Sequence, residues 1–285
     1  MTSLEGTVAL VTGASRGAGK GIALVLGEHG ATVYVTGRST RAEPSDRPGT
    51  IDDTADEVSS RGGSGIAVQV DHTDRAQVTS LVERIANDHG RLDVLVNNAW
   101  MGYEIRVQRI PFWEAPLEHW DLMFASLRGQ MLTAQLAAPL MLAQGRGLIV
   151  NTLWDVGPHF HGHVFYDTVK NAVSRMSFGM AEQLRERGIA VVALSPGWMH
   201  TETMDLSPES AAQTESTEYI GRATAALAGD PDVLRWSGRT LRVVDVAREY
   251  GFTDVDGKVL TPFWERYLAE AGKPPGSSER RFGDD

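Results

Sequence analysis

Short β-branched apolar runs alternate along the chain with longer stretches in which apolar residues recur at helical spacing. The runs stand at 8–11, 33–36, 66–70, 94–96, 148–152, 189–194 and 240–244. Their near-continuous hydrophobicity fits strands buried on both faces of a parallel sheet. Helical periodicity fills 18–29, 53–61, 75–89, 116–141, 165–187 and 217–228, and Gly30, Gly62 and Gly90 stand where the first three helices should stop. This βαβ rhythm predicts an α/β fold with a doubly wound parallel sheet of seven strands and helices on both faces. No composition break interrupts it, so residues 1–262 read as a single domain. Two polar stretches, 39–50 and 201–214, would follow the carboxyl ends of strands, where open α/β sheets bind ligands. Residues 263–271 carry one more helical pattern, and the Pro/Gly/Ser-rich, charged end of this 263–285 extension predicts disorder.

Charge narrows the choice of partner. Lys+Arg 27 against Asp+Glu 37 leaves a net charge of −10 over 285 residues, which argues against nucleic acid or an anionic membrane. With no cysteine, disulfides, thiolate catalysis and zinc–thiolate sites are excluded. The longest apolar stretch, 132–142, is broken by Thr133, Gln135 and Pro139 and falls short of the roughly 18–20 residues of a membrane helix. The first strand follows an N-terminus without a basic region, so a cytoplasmic protein is expected.

The first strand leads into Thr12-Gly13-Ala14-Ser15-Arg16-Gly17-Ala18-Gly19 and then a helix. Glycines here allow a tight turn, close approach of backbone to a pyrophosphate and close helix–strand packing, as in a Rossmann-type dinucleotide site. The Gly-x3-Gly-x-Gly spacing is one residue longer than the usual fingerprint. After the second strand the chain reads Thr36-Gly37-Arg38-Ser39, with no acid to hold ribose hydroxyls. Arg38, together with Arg16 of the glycine loop, suits a 2′-phosphate, so NADP(H) is the expected cofactor.

The chain resembles the short-chain dehydrogenase/reductase family from about residue 5 to residue 203. Gly13, Ser15, Arg16, Gly17 and Gly19 match its cofactor loop, Val70-Asp71 the adenine-contacting end of the third strand, and Asn97-Asn98-Ala99 the Asn-Asn-Ala-Gly motif. Tyr166-x3-Lys170 resembles the catalytic pair, and Ser195-Pro196-Gly197 with Met199 and Thr201 the segment embracing the nicotinamide. Residues 97–100, 111–120 and 240–257 look similar to the member-one branch of the dehydrogenase/reductase proteins. The resemblance implies cofactor contacts from Asp71, Asn98, Pro196, Gly197, Met199 and Thr201, and from Tyr166 and Lys170 as well. It also implies a small-molecule substrate and a homodimer or homotetramer formed through the helices near 123–142 and 168–187.

Three positions depart from the family. The usual catalytic serine falls on Leu153 or Trp154, depending on whether one counts back from Tyr166 or from Gly157. Ser126 stands where an asparagine usually supports a relay water, and Trp100 ends the Asn-Asn-Ala motif. A lysine one helical turn from a tyrosine lowers the phenol's pKa from about 10, so Tyr166 would give a proton to a carbonyl oxygen as hydride arrives at carbon. The missing serine leaves three outcomes open: a substitute donor, for which Thr152, Asp155, His159, His161 and His163 are candidates; a slow enzyme or one acting on an activated carbonyl or imine; or non-redox work. The three histidines alternate, yet no carboxylate beyond Asp155 accompanies them and no metal is expected; His161 is assigned to the substrate pocket. Trp100, Trp154 and Trp198 follow three successive strands and should wall that pocket with indole, which suits a lipophilic or aromatic substrate. The reading is an NADP(H)-dependent oxidoreductase acting on a carbonyl/alcohol pair. A non-redox cyclase, dehydratase or lyase on the same fold, or a catalytically idle binding protein, is the alternative.

Overall fold

The computed structural model describes residues 2–102, 105, 110–155, 160, 162–261 and 265. Seven strands form one sheet: β1 (Val8–Thr12), β2 (Thr32–Gly37), β3 (Ser64–Gln69), β4 (Val94–Asn97), β5 (Gly147–Thr152), β6 (Ile189–Ser195) and β7 (Thr240–Arg242). All pairings are parallel, in the order β3-β2-β1-β4-β5-β6-β7. The order reverses between β1 and β4, and there the flanking loops part to leave a crevice at the carboxyl ends of the strands.

The helices are α1 (Gly17–Glu28), α2 (Ile51–Ser60), α3 (Arg75–His89), α4 (Leu117–Gln144), α5 (Val164–Leu184), α6 (Pro208–Ala211), α7 (Thr217–Ala228) and α8 (Val243–Tyr250). Alternation along each strand divides the apolar residues between two cores. Ala9, Val11, Val33, Val35, Val96 and Val150 share one core with residues of α1, α2, α7 and α8. Val8, Leu10, Tyr34, Leu95 and Ile149 share the other with residues of α3, α4 and α5. Burial on both faces is why these strands read as unbroken hydrophobic runs rather than as alternating ones.

Three boundaries depart from the sequence expectation. The last run, expected to extend to Val244, stops at Arg242, and Val243 opens α8 instead. Val243, Val246 and Ala247 are buried at helical spacing, so tertiary burial overrides the strand preference of the valine pair. Helix α4 runs through Pro139 and past the expected end at 141 to Gln144, and stops at Gly145 in the left-handed conformation, φ 68°. The polar stretch 201–214 contains the short α6, capped by Ser207. Apart from residue 265, the helix expected at 263–271 and the tail beyond it lie outside the described residues.

Candidate active site

The turn from β1 into α1 is built for close backbone approach. Gly13 has φ 66°, and a Cβ there would lie 2.7 Å from the Ala99 Cα. At Gly19 a Cβ would overlap the Gly13 carbonyl and the Asn98 amide. Asn98 braces the turn, its Nδ2 donating to the carbonyls of Thr12 (3.0 Å) and Gly13 (3.1 Å). Thr12 Oγ1 accepts in return from the backbone N–H of Asn98 and of Ala99, at 2.8 and 2.9 Å. The expected cofactor residue Asn98 is thus a strut of the cradle. The loop opens on a cleft lined by Ser15, Arg16, Arg38, Val70, His72 and Trp100, among others.

The two arginines expected at a 2′-phosphate differ in situation. Arg16 donates to Ser39 Oγ, Ser45 Oγ and the carbonyls of Arg47, Pro48 and Gly49, so it pins the 39–50 loop to the glycine loop. Arg38 is exposed at the end of β2 and lines the cleft. Burial works against ionisation of Asp71, but hydrogen bonds from the Thr73 N–H and hydroxyl and the charge of Arg38 outweigh it, holding the carboxyl below its usual range. The N-terminus of α1 already faces an anion: Gly17 N–H donates to both carboxylate oxygens of Glu202, at 3.1 and 2.9 Å. That is the position in which such folds seat a pyrophosphate.

On α5, Phe165, Val169, Val173, Ser177 and Ala181 form the buried row. The spacing i, i+4 sets Tyr166 and Lys170 together on a neighbouring row. The Lys170 ammonium lies 4.0 Å from the Trp100 ring centre and 5.2 Å from that of Tyr166. Trp100 meets Tyr166 edge-on at 5.7 Å and Trp154 does so at 6.3 Å. Desolvation in this setting pushes Lys170 down to about 8, while the indole face compensates in part through a cation–π contact.

The two residues onto which the family's serine would fall differ in packing. Leu153 is buried with Val173 and Ala193, whereas Trp154 faces Tyr166. Ser126 Oγ accepts the Met101 N–H at 2.8 Å and so fixes the loop that carries Trp100. Among the candidate substitute donors, Thr152 directs its hydroxyl to the Asn97 carbonyl and Asn98 Oδ1, each at 3.4 Å. Asp155 is tied through its N–H to Ser195 Oγ at 2.8 Å. His163 is buried and caps α5, its Nδ1 accepting from the Tyr166 N–H. His159 and the pocket candidate His161 lie outside the described residues.

Beyond β6, Gly197 N–H donates to Glu215 Oε2 at 2.8 Å, and Met199 pairs with Glu215 in an isolated bridge. Trp198 is half-buried there, its carbonyl accepting the Glu215 N–H, and Thr201 Oγ1 lies 3.3 Å from Thr203 Oγ1. The structure therefore brings Trp100 and Trp154 to Tyr166 and holds Pro196–Thr201 by a buried carboxylate. Besides Glu202, two residues escape the sequence reading. His72 lies between Thr36 Oγ1 (2.8 Å from Nε2) and Thr133 Oγ1 (3.0 Å from Nδ1), and burial pushes it down to about 4. Glu215 is the other; only its partner far back in the chain reveals it. Among the described residues no group of three or more His, Cys, Asp or Glu is arranged to hold a metal, and no described helix is long and apolar enough to cross a membrane.

A glycine cradle at the strand-order reversal, with a tyrosine and a lysine one helical turn apart beyond it, defines a dinucleotide-dependent oxidoreductase of the Rossmann type. The short chain dehydrogenase pattern matches residues 7–211, and the chain belongs to the short-chain dehydrogenase/reductase family. It is 37% identical over 280 residues to the mouse (Mus musculus) protein "Dehydrogenase/reductase SDR family member 1", covering 92% of this chain and 87% of that one. The human (Homo sapiens) counterpart is 37% identical over 279 residues, covering 91% and 87%. Among solved structures, a hydroxysteroid dehydrogenase from Escherichia coli superposes with a TM-score of 0.72 at 25% identity over 85% of this chain and 96% of its own. A short-chain type dehydrogenase/reductase from Mycobacterium marinum gives 0.70 at 28% identity over 84% and 94%. The family implies a nicotinamide cofactor and a small-molecule substrate.

Proposed function

We propose that this chain is an NADP(H)-dependent oxidoreductase acting on a carbonyl/alcohol pair whose substrate is lipophilic or aromatic. The observation that carries the reading is the Tyr166–Lys170 pair beside Trp100, which lines the cleft. The cradle fits the cofactor: Gly13 and Gly19 leave no room for a side chain, the Gly17 N–H at the α1 terminus already holds an anion, the Glu202 carboxylate, where a pyrophosphate would sit, and Arg38 supplies a cation where an acid would repel a 2′-phosphate. Asp71, Pro196, Gly197, Met199 and Thr201 complete its walls by family resemblance. When bound, the nicotinamide donates or accepts the hydride.

The chain's own part is proton transfer and orientation. Tyr166 gives its phenolic proton to the carbonyl oxygen during reduction and takes it back during oxidation. Lys170, desolvated beside the phenol, favours the phenolate that remains. Trp100 and Trp154 exclude water and offer flat apolar faces to the substrate. Where a serine would hold the carbonyl oxygen, Trp154 stands, and Thr152 is engaged with β4. Binding of the oxygen therefore falls chiefly to Tyr166, which favours an activated carbonyl such as a quinone. Met131, Leu142 and Phe178, exposed on α4 and α5, support association of these helices in a homo-oligomer.

A non-redox reaction on the same fold is the second reading, and Trp154 in the serine's place is the observation that favours it. Substrate-dependent consumption of NADPH across carbonyls, quinones and imines decides between them. Turnover that disappears in Tyr166→Phe supports the oxidoreductase; no consumption with any of the three classes overturns it.

A further inference from the structure

The first turn of α5 is held by an unusual group. Helix N-caps are commonly Ser, Thr, Asp or Asn, whose oxygens accept at every physiological pH. Here the cap is His163, with extended backbone (φ −139°, ψ 108°) and Nδ1 accepting the backbone N–H of Tyr166 at 3.4 Å. An acceptor at Nδ1 places the imidazole proton on Nε2. Among the described residues that buried Nε2 has no hydrogen-bond partner, nor has Nδ1 of His119 on α4. The two rings lie 6.3 Å apart and nearly parallel at 28°, and Phe165 closes the edge of His163 at 5.6 Å.

We propose that His163 is a positioning residue for the reaction, holding the Tyr166 phenol in place by capping its backbone N–H, and that a proton on Nδ1 releases it. The inference rests on Tyr166 being the proton donor. Protonation turns Nδ1 from acceptor into donor, so two N–H groups confront each other. It also puts a cation at the positive end of the α5 dipole, inside an apolar cluster. Among the described residues, the titratable groups around His163 are His119 from α4 and Tyr166 and Asp167 on its own helix. The Asp167 N–H donates to the His163 carbonyl, which leaves the imidazole free to act as the cap. Desolvation, and then the neighbouring His119, hold His163 below its ordinary range, so the cap is closed at neutral pH and opens in acid.

Two readouts test this, one of them independent of turnover. Amide hydrogen exchange at Tyr166, corrected for its intrinsic rate, is followed from pH 8 to pH 5 in the unaltered protein, in His163→Asn and in His163→Ala. The expected result is roughly tenfold loss of protection toward acid in the unaltered protein, steady protection with the non-titrating Asn cap, and weak protection throughout in His163→Ala. Turnover over the same range should follow: an acid fall in the unaltered protein, flattened in His163→Asn, and a lowered kcat with little change in KM in His163→Ala that Asn restores. An acid limb unchanged in His163→Asn, or Tyr166 protection independent of pH in the unaltered protein, overturns the proposal. Full turnover in Tyr166→Phe would instead overturn the proton-donor reading, and the exchange data would still report whether the cap opens.

Discussion

On the β1–β3 side of the cleft the binding groups are mostly backbone, whereas on the β4–β6 side they are bulky side chains. The first side offers the glycine turn, the Gly17 N–H and the ends of β2 and β3, parts that suit any dinucleotide. The second presents Trp100, Trp154 and Ser126 at positions where family resemblance leads one to expect glycine, serine and asparagine. On the proposed function, the parts for cofactor binding and proton transfer are kept while those for substrate recognition are rebuilt. The difference teaches that the two functions tolerate change unequally. A Cβ at Gly13 meets backbone that cannot yield, while an indole in place of serine costs only a donor.

The sharpest way to break this comparison is Tyr166→Phe. It should lower kcat by roughly 10²–10⁴-fold, the usual worth of a positioned acid–base group, and leave NADPH affinity measured by fluorescence nearly unchanged. Equal loss of both would mean that the two sides are not separable.

On the cofactor side, His72 sets an acid limit on stability. Its folded-state value of about 4 lies below the ordinary 6.5, so the unfolded chain binds the proton more readily. The contribution is complete above pH 6.5 and is lost as pH falls through that window toward 4, about 3 kcal/mol in all. Denaturant unfolding at pH 7 and pH 4 should show a drop smaller by this amount in His72→Gln.

Cofactor choice comes next. Arg38→Asp should erase or reverse a preference for NADPH over NADH worth about 1.5–3 kcal/mol, the range for a charge-assisted hydrogen bond. Equal affinities of the unaltered protein in calorimetry would refute the NADP(H) assignment. The smallest effect is expected at Glu202, an exposed carboxylate on the Gly17 N–H. Glu202→Gln should tighten NADPH binding by about two- to fivefold, because an anion at a helix N-terminus gains about 0.3–1 kcal/mol and competes with the pyrophosphate.

What could be read from the chain alone follows the range of the interactions. Strands buried on both faces announce themselves within a few residues, and so do the glycine loop and the Tyr166–Lys170 spacing. Val243 misled because a valine pair favours a strand locally, while its burial against the sheet is a tertiary effect. Glu202, Glu215 and His72 were invisible for the same reason: their partners Gly17, Gly197 and Thr133 lie 185, 18 and 61 residues away. Arg16 is expected from the sequence to face a 2′-phosphate, but its hydrogen bonds to the 39–50 loop depend on carbonyls that sequence cannot orient.

Restoring the serine tests the central claim most directly, because the account holds that, of the three replacements on the catalytic side, Trp154 is the one that removes an oxyanion donor. Trp154→Ser is compared with the unaltered protein for NADPH-dependent reduction of simple, unactivated ketones. Regaining such a donor is worth about 2.7–4 kcal/mol of transition-state stabilisation, so kcat should rise by roughly 10²–10³-fold and the gain should vanish in Trp154→Ser/Tyr166→Phe. A folded, NADPH-binding Trp154→Ser that reduces no ketone faster than the unaltered protein would contradict the account.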